Sequence, residues 1–217
     1  MAQFLSSTFL RFFSINITKM QKKSPLPTDT LIVTEGTKTE PTYFGNIKRK
    51  YQIPLEIRHS HNSTAPDQIV QYAITLKDTT LKQHKFKHVF VVFDRDDHKS
   101  YSQACKLCEE KKFTAITSNP CFELWLLLHF EQVSSPIEKA EEAKQRLQKY
   151  IPGYIDKTPN DLFDLTENSL EDACKLSRKL TEEGNHDTNP YTNVHILIEK
   201  LKKLKQRRDR SLNKSSF

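Results

Sequence analysis

Apolar segments rich in β-branched and aromatic residues alternate with amphipathic segments through the first 130 residues of the chain. The apolar segments are typical of strands, and the amphipathic segments repeat with the period of a helix. We predict strands over residues 31–33, 55–58, 88–93 and 113–117. We predict helices over residues 39–50, 66–81, 100–111 and 120–130. This alternation favours an α/β fold built on a parallel, doubly wound sheet of four strands.

The pattern changes after Glu131, where charged amphipathic segments replace the apolar ones. Pro152 and Gly153 break the first of these segments, and Gly184 ends the second. We predict helices over residues 136–150, 169–184 and 192–208, with a loop over residues 154–167. The predicted organisation is an α/β core over residues 28–131, a helical C-terminal subdomain over residues 132–210 and a tail over residues 211–217.

Residues 1–27 do not continue this pattern, because their apolar side chains are interrupted by serines, a threonine and Arg11. They lack the basic start and the small-residue cleavage site of a secretory signal peptide. A second methionine, Met20, precedes a polar segment. We therefore predict that Met20 is the functional start and that the first 19 residues are a mis-called extension or a disordered arm. Residues 1–27 as a whole are predicted to be a disordered or mis-called extension that precedes the folded core.

Composition excludes several classes of protein. Hydrophobic residues make up 36% of the chain and charged residues 28%, which suits a globular domain with a core. No apolar run approaches the length that spans a bilayer, so we expect no membrane partner. The four cysteines are few and irregularly spaced, which favours a reducing cytoplasm over a secreted disulfide scaffold.

The formal net charge of +7 comes from the two ends of the chain, and the segment between residues 31 and 198 is close to neutral. Basic side chains crowd the end of the last predicted helix, where they suit contacts with a phosphate backbone. The candidates for nucleic-acid binding there are Lys202, Lys203, Lys205, Arg207 and Arg208. A solvated tail that only aids solubility is the alternative.

Acidic residues follow two of the predicted strands. Glu35 comes after the first strand, and Asp94 and Asp96 come after the third. The carboxyl ends of parallel strands meet at one edge of a sheet, and a strand order of 2-1-3-4 makes the first and third strands neighbours. Carboxylate oxygens suit Mg²⁺ or Mn²⁺ together with a substrate phosphate. The pattern predicts phosphodiester cleavage, with Glu35 moving protons; its structural alternative is acids that cap strand ends.

Three further side chains bear on this site. His98 follows Asp96 by two residues and is placed to contact a phosphate or a metal-bound water. Glu123 and His129 lie on an apolar helix, where a titratable group requires a partner. Helix-dipole stabilisation is the alternative for Glu123, and a satisfied core histidine is the alternative for His129. The remaining candidates are Glu40 and Asp97 for the acidic site, and Lys38 and Arg95 for nucleic-acid binding.

Glu35-Gly36 with Asp94-x-Asp96 resembles the Toprim pattern of topoisomerases, bacterial primases and certain nucleases. The resemblance implies a Toprim-like core, a glutamate in acid–base chemistry and aspartates that bind Mg²⁺. Many Toprim proteins carry a further acid a few residues after the glutamate, whereas here Lys38 and Thr39 precede Glu40. The number of metal ions therefore stays open.

A second set of segments extends over nearly the whole body of the chain. They are Thr34-Glu35-Gly36, Thr39-Glu40-Pro41, Tyr43-Phe44, Asp94-Arg95-Asp96 with His98, residues 118–130, Asn189-Pro190 and Thr192-Asn193-Val194. Together these segments resemble the RloB family. The resemblance implies a nuclease effector in a bacterial anti-phage locus, of the abortive-infection type, controlled by an ABC-type ATPase partner. It leaves open whether the substrate is RNA, including tRNA, or DNA, and whether the chain forms a homo-oligomer.

Three functions remain in competition on the sequence alone. The leading hypothesis is the metal-dependent nuclease, with Glu35, Asp94 and Asp96 at its centre. The second is a non-catalytic regulatory subunit that binds a nucleotide or the ATPase. The third is a nucleic-acid-binding module in which the basic C-terminal end dominates.

Overall fold

Five β-strands form one sheet in the computed structural model, which describes residues 28–60, 65–79, 86–95, 99–155 and 157–213. The strands are β1 (Thr30–Thr34), β2 (Glu56–His59), β3 (His88–Asp94), β4 (Thr114–Asn119) and β5 (Tyr191–Thr192). Their order is β2-β1-β3-β4-β5; β1 to β4 are parallel and β5 is antiparallel to β4. The order predicted for the first four strands is confirmed. The prediction of a wholly parallel, four-stranded sheet was incomplete.

Eight α-helices and one 3₁₀ turn accompany these strands within the described residues. The helices are α1 (Thr39–Tyr51), α2 (Pro66–Thr79), α3 (Tyr101–Lys111), α4 (Glu123–Leu127), α5 (Ala140–Leu147), α6 (Leu162–Thr166), α7 (Leu170–Glu183) and α8 (Val194–Asn213); the 3₁₀ turn is Glu167–Ser169. No helix in this part of the chain combines the length and the apolar character needed to cross a membrane. The predicted extension over residues 1–27 and the end of the tail, residues 214–217, lie outside the described ranges.

Three predicted elements of the C-terminal half differ from the structure. The helix predicted over residues 136–150 begins only at Ala140, because the amide of Asn189 bonds both backbone groups of Ile137, at 3.0 Å and 2.8 Å. The predicted loop contains α6, where Asn46 Oδ1 accepts the backbone N–H of Phe163 at 3.2 Å. The helix predicted over residues 120–130 is helical only over α4. Partners distant in the sequence decide the first two differences.

Two hydrophobic clusters cover the two faces of the sheet, as the alternation of side chains along a strand requires. Leu31 and Val33 of β1 pack with α2 and α3 on one face. Ile32 packs on the other face with α1, α4 and α8. Buried residues of α5, α6 and α7 belong to this second cluster. The C-terminal helices therefore share a core with α1.

Asn193 attaches β5 and the start of α8 to β4. Its Oδ1 accepts the backbone N–H of Thr117 at 2.8 Å, and its Nδ2 donates to the carbonyl of Ala115 at 3.1 Å. The hydroxyls of Ser118 and Thr192 lie 2.9 Å apart beside this contact. A two-residue strand carries no periodic signal, so side-chain bonds of this kind account for a strand that the sequence pattern missed.

Replacing Asn193 with alanine removes both of these bonds and leaves two backbone groups of β4 without this partner. We expect N193A to lower the free energy of unfolding by about 1 to 3 kcal/mol, measured by urea denaturation. N213A, at the exposed end of α8, is the matched control, and its effect should stay within about 0.5 kcal/mol. Equal stability of the two variants would contradict the role given to Asn193.

Candidate carboxylate site

Four carboxyl side chains gather at the carboxyl edge of the sheet, and we refer to Glu35, Glu40, Asp94 and Glu123 as the acidic cluster. Glu35 follows β1, Asp94 ends β3, and Glu40 and Glu123 lie in the first turns of α1 and α4. Glu35 Oε2 accepts the backbone N–H of Asp94 at 3.1 Å. The sequence-based prediction that Glu35 and Asp94 come together is confirmed by this contact.

Gly36 permits the close approach of Glu40 to the end of β1. Its backbone N–H donates to Glu40 Oε1 at 3.2 Å, and the hydroxyl of Thr34 donates to its carbonyl at 2.9 Å. A Cβ atom at this position would lie only 2.2 Å from Glu40 Oε2. Any larger residue would therefore push the Glu40 carboxylate away from the cluster.

Burial and repulsion between carboxylates raise the pKa of two members of this cluster, Glu40 and Asp94. Glu40 and Glu123 are only 6% and 7% exposed. Burial, with the charge of Glu123, raises the pKa of Glu40 to about 7. Burial also raises the pKa of Asp94 well above its usual range, and the charges of Glu40, Glu123 and Glu35 add to this. A cation at this edge would relieve the repulsion between these carboxylates.

The donor set of the cluster suits a hard divalent cation. All four side chains offer carboxylate oxygen, which Mg²⁺ and Mn²⁺ prefer. Among the described residues, no three His, Cys, Asp or Glu side chains are already arranged around one metal position. The predicted ligands and catalytic residues Asp96, Asp97 and His98 lie outside the described residues.

His129 lies in the core and not among the carboxylates. It is 5% exposed, and its Nδ1 donates to the carbonyls of Trp125 and Leu126 at 3.0 Å and 3.2 Å. Nε2 is therefore the acceptor nitrogen, 3.4 Å from the hydroxyl of Tyr43. Burial lowers the pKa of His129 to about 4. This placement matches the alternative of a satisfied, neutral core histidine.

The two basic candidates near the acids differ in their surroundings. Lys38 is exposed beside the acidic cluster, in the loop before α1. Arg95 Nε bonds Asp187 Oδ1 at 3.1 Å, and its guanidinium lies 4.6 Å from the ring centroid of Tyr101. Arg95 thus links the end of β3 to the C-terminal part of the chain, a partner that its sequence neighbours did not indicate.

The basic end of α8 lies at the opposite, amino edge of the sheet. The pKa of half-buried Lys200 is lowered by burial and by the charges of Arg207 and Lys203, while Asp29, just before β1, opposes this shift. β3 has seven residues, and at about 3.3 Å per residue the two edges are roughly 20 Å apart. The structure does not bring the basic end of α8 to the acidic cluster.

Several of the α8 candidates already have partners. Lys202 pairs with Glu171, and the Lys205 ammonium lies 4.6 Å from the ring centroid of Tyr51. Arg208 pairs with its neighbour Asp209, and its Nη1 lies 3.5 Å from Oε1 of Gln52. Lys203 and Arg207 are exposed.

Sequence reasoning missed the residues that the C-terminal part adds to the site. The hydroxyl of Tyr154 donates to Glu123 Oε1 at 3.0 Å. Lys144 and Lys157 line a pocket that also reaches Glu123. These residues lie in segments predicted as an amphipathic helix and a loop, and no local pattern there indicates a contact with α4.

A family model described as RloB-like protein matches residues 30–201. The chain belongs to the RloB-like family. The matched range of this RloB-like chain begins with β1, ends within α8 and contains all four members of the acidic cluster. Comparison with curated proteins and comparison with solved structures find no match.

Replacing Glu40 with glutamine should change how stability depends on pH. The Glu40 carboxyl has a pKa of about 7 in the folded chain against an ordinary value of 4.5. At this site the folded chain binds more protons than the unfolded chain in this range, so the contribution of Glu40 to the free energy of unfolding falls as the pH rises from about 4.5 to about 7. In E40Q this fall becomes shallower, and the variant gains up to about 3 kcal/mol over wild type above pH 7.

Urea denaturation in EDTA at a series of pH values measures this effect without a metal contribution. E183Q, which removes an exposed carboxylate of α7, is the control and should follow the wild-type curve. An E40Q curve parallel to that of wild type would show that Glu40 does not hold a proton near neutral pH.

Proposed function

We propose that the protein is a metal-dependent nuclease that cleaves phosphodiester bonds in RNA or DNA. One observation carries the proposal: Glu35 and Asp94 are hydrogen-bonded across neighbouring strands, with two more buried carboxyl groups close enough to raise the pKa of Asp94. Concentrated carboxylate oxygen at the carboxyl edge of a parallel sheet suits a divalent cation and a phosphate ligand. A Toprim-like core is part of this proposal.

The described residues take distinct roles in it. Asp94 and Glu35 would hold Mg²⁺ or Mn²⁺, and the Toprim resemblance adds Asp96. When bound there, such a cation would supply charge neutralisation of the phosphate and activation of a water nucleophile. Glu40, whose pKa is about 7, is suited to move a proton near neutral pH, since a general acid or base works best near its own pKa. Glu123 is held in place by Tyr154.

The biological setting of the proposal rests on the family. The resemblance to the RloB family implies a place in a bacterial defence locus beside an ABC-type ATPase. We propose that this chain is the cytoplasmic effector of such an anti-phage system and that the ATPase controls its activity. The choice between RNA, including tRNA, and DNA is left to the experiment below.

A non-catalytic regulatory or nucleic-acid-binding subunit is the second candidate. The arrangement of ligands and charge favours it. Within the described residues, no three potential metal ligands surround one position. The basic end of α8 lies roughly 20 Å from the acidic cluster. In this alternative the acidic cluster has a structural or partner-binding role, and α8 contacts a phosphate backbone.

Substitution of Asp94 by asparagine tests the nuclease directly. Wild type and D94N are each expressed with the neighbouring ATPase, and total RNA and DNA are separated on gels after phage challenge. We expect new fragments with wild type and at least about a hundredfold less cleavage with D94N, because a metal ligand is lost. D172N, which alters an exposed side chain of α7, is the matched control and should cleave like wild type.

Circular dichroism confirms that each variant is folded before the gels are compared. Cleavage at the wild-type level in folded D94N and in E35Q would reject the assignment. Preserved phage defence without any fragments, in wild type and variants alike, would favour the regulatory subunit.

A further inference from the structure

A pocket opens beside the acidic cluster, between the start of α1, α5 and the segment that follows α5. Its volume is about 430 Å³, and Glu123 forms part of its wall. Apart from Ile155, the other lining residues carry polar groups; they are three lysines, four threonines, Tyr154 and Asn160. A pocket of this size falls within the range of about 300 to 1,000 Å³ that holds small-molecule and cofactor ligands.

The charge of the pocket suits an anion. Lys38, Lys144 and Lys157 line it, and Glu123 is the one acidic residue among its described lining residues. None of the three ammonium groups forms an ion pair with another part of the chain that the structure describes. Lysines that form no ion pair with the described residues, beside several hydroxyl donors, are complementary to the oxygens of a phosphate group.

Contacts between distant parts of the chain fix the walls of the pocket. The Tyr154 hydroxyl donates to Glu123 at 3.0 Å, and the hydroxyls of Thr39 and Thr158 lie 3.2 Å apart. Asn46 Nδ2 donates to the carbonyl of Asn160 at 2.9 Å. A pocket whose walls are already held in place loses less conformational entropy when a ligand binds.

We propose that this lysine pocket, formed by Lys38, Lys144 and Lys157 around Glu123, binds a nucleotide phosphate of single-stranded nucleic acid. Glu123 is only 7% exposed, so a ligand that contacts it must enter the pocket. A nucleotide that is stacked and paired in a duplex cannot do this, whereas a nucleotide of a single strand can. The Glu123 carboxylate is placed to accept a hydrogen bond from a sugar hydroxyl or a base amino group. The proposal rests on the proposed function, because Glu123 belongs both to the pocket and to the acidic cluster.

The test measures binding separately from cleavage. A fluorescein-labelled single-stranded RNA oligonucleotide is titrated with the full chain in EDTA, and anisotropy is followed at several salt concentrations. We expect K144A/K157A to bind at least about tenfold more weakly than wild type, with the slope of log affinity against log salt reduced by about 1.4, because each phosphate contact on a single strand contributes about 0.7. The matched control is K106A/K111A, which removes two exposed lysines from α3 on the other face of the sheet and should bind like wild type.

Further arms identify the source of the phosphate. If AMP displaces the oligonucleotide from wild type, the pocket recognises a nucleotide phosphate and also binds a free nucleotide. Weaker binding by K144A/K157A without displacement by AMP assigns the pocket to the polymer. A duplex of the same sequence that binds as tightly as the single strand, and loses as much affinity in the variant, overturns the preference for single strands.

The outcome for the pocket is distinguishable from the outcome for the nuclease. D94N in EDTA should bind the oligonucleotide at least as tightly as wild type while losing cleavage in Mg²⁺. If D94N still cleaves and K144A/K157A still loses affinity, the nuclease assignment is rejected and the lysine pocket is retained as a binding site. Wild-type affinity and wild-type salt dependence in folded K144A/K157A would reject the proposed binding site.

Discussion

The hydrogen bond from the backbone of Asp94 to the Glu35 carboxylate joins two strand ends that are 59 residues apart in the chain. It exists because β1 and β3 are parallel neighbours, so that the residues following each strand emerge at the same edge. Gly36 follows Glu35 directly and leaves room for the Glu40 carboxylate. The acidic cluster therefore depends on strand order and on one residue without a side chain.

The C-terminal part of the chain completes this edge of the sheet. Tyr154 holds Glu123, Asp187 holds Arg95, and Asn193 fastens β5 to β4. Each bond spans at least 31 residues of sequence. The α/β core alone would present the carboxylates without the pocket wall, so the candidate site belongs to the whole described fold.

Charge is separated along the strands of the sheet. The carboxyl edge gathers the four acids of the acidic cluster, two of them buried, with a lysine-lined pocket beside them, and the amino edge carries the exposed Lys203 and Arg207 of α8. The two edges are roughly 20 Å apart. A single phosphate cannot touch both, whereas an extended polymer or a second macromolecule can, which gives the basic end of α8 a role separate from that of the lysine pocket.

The sequence by itself determined the alternation of strands and helices and, with a strand order of 2-1-3-4, the meeting of Glu35 and Asp94 at one edge of the sheet. These features follow from local periodicity and from the rule that parallel strands share their carboxyl edge. Only the tertiary structure decided that Ile137 bonds Asn189 and does not begin a helix, that His129 lies neutral in the core, and that α8 carries its basic end away from the acids. Each of these depends on a partner far along the chain or on burial, and neither leaves a periodic signal in the segment itself.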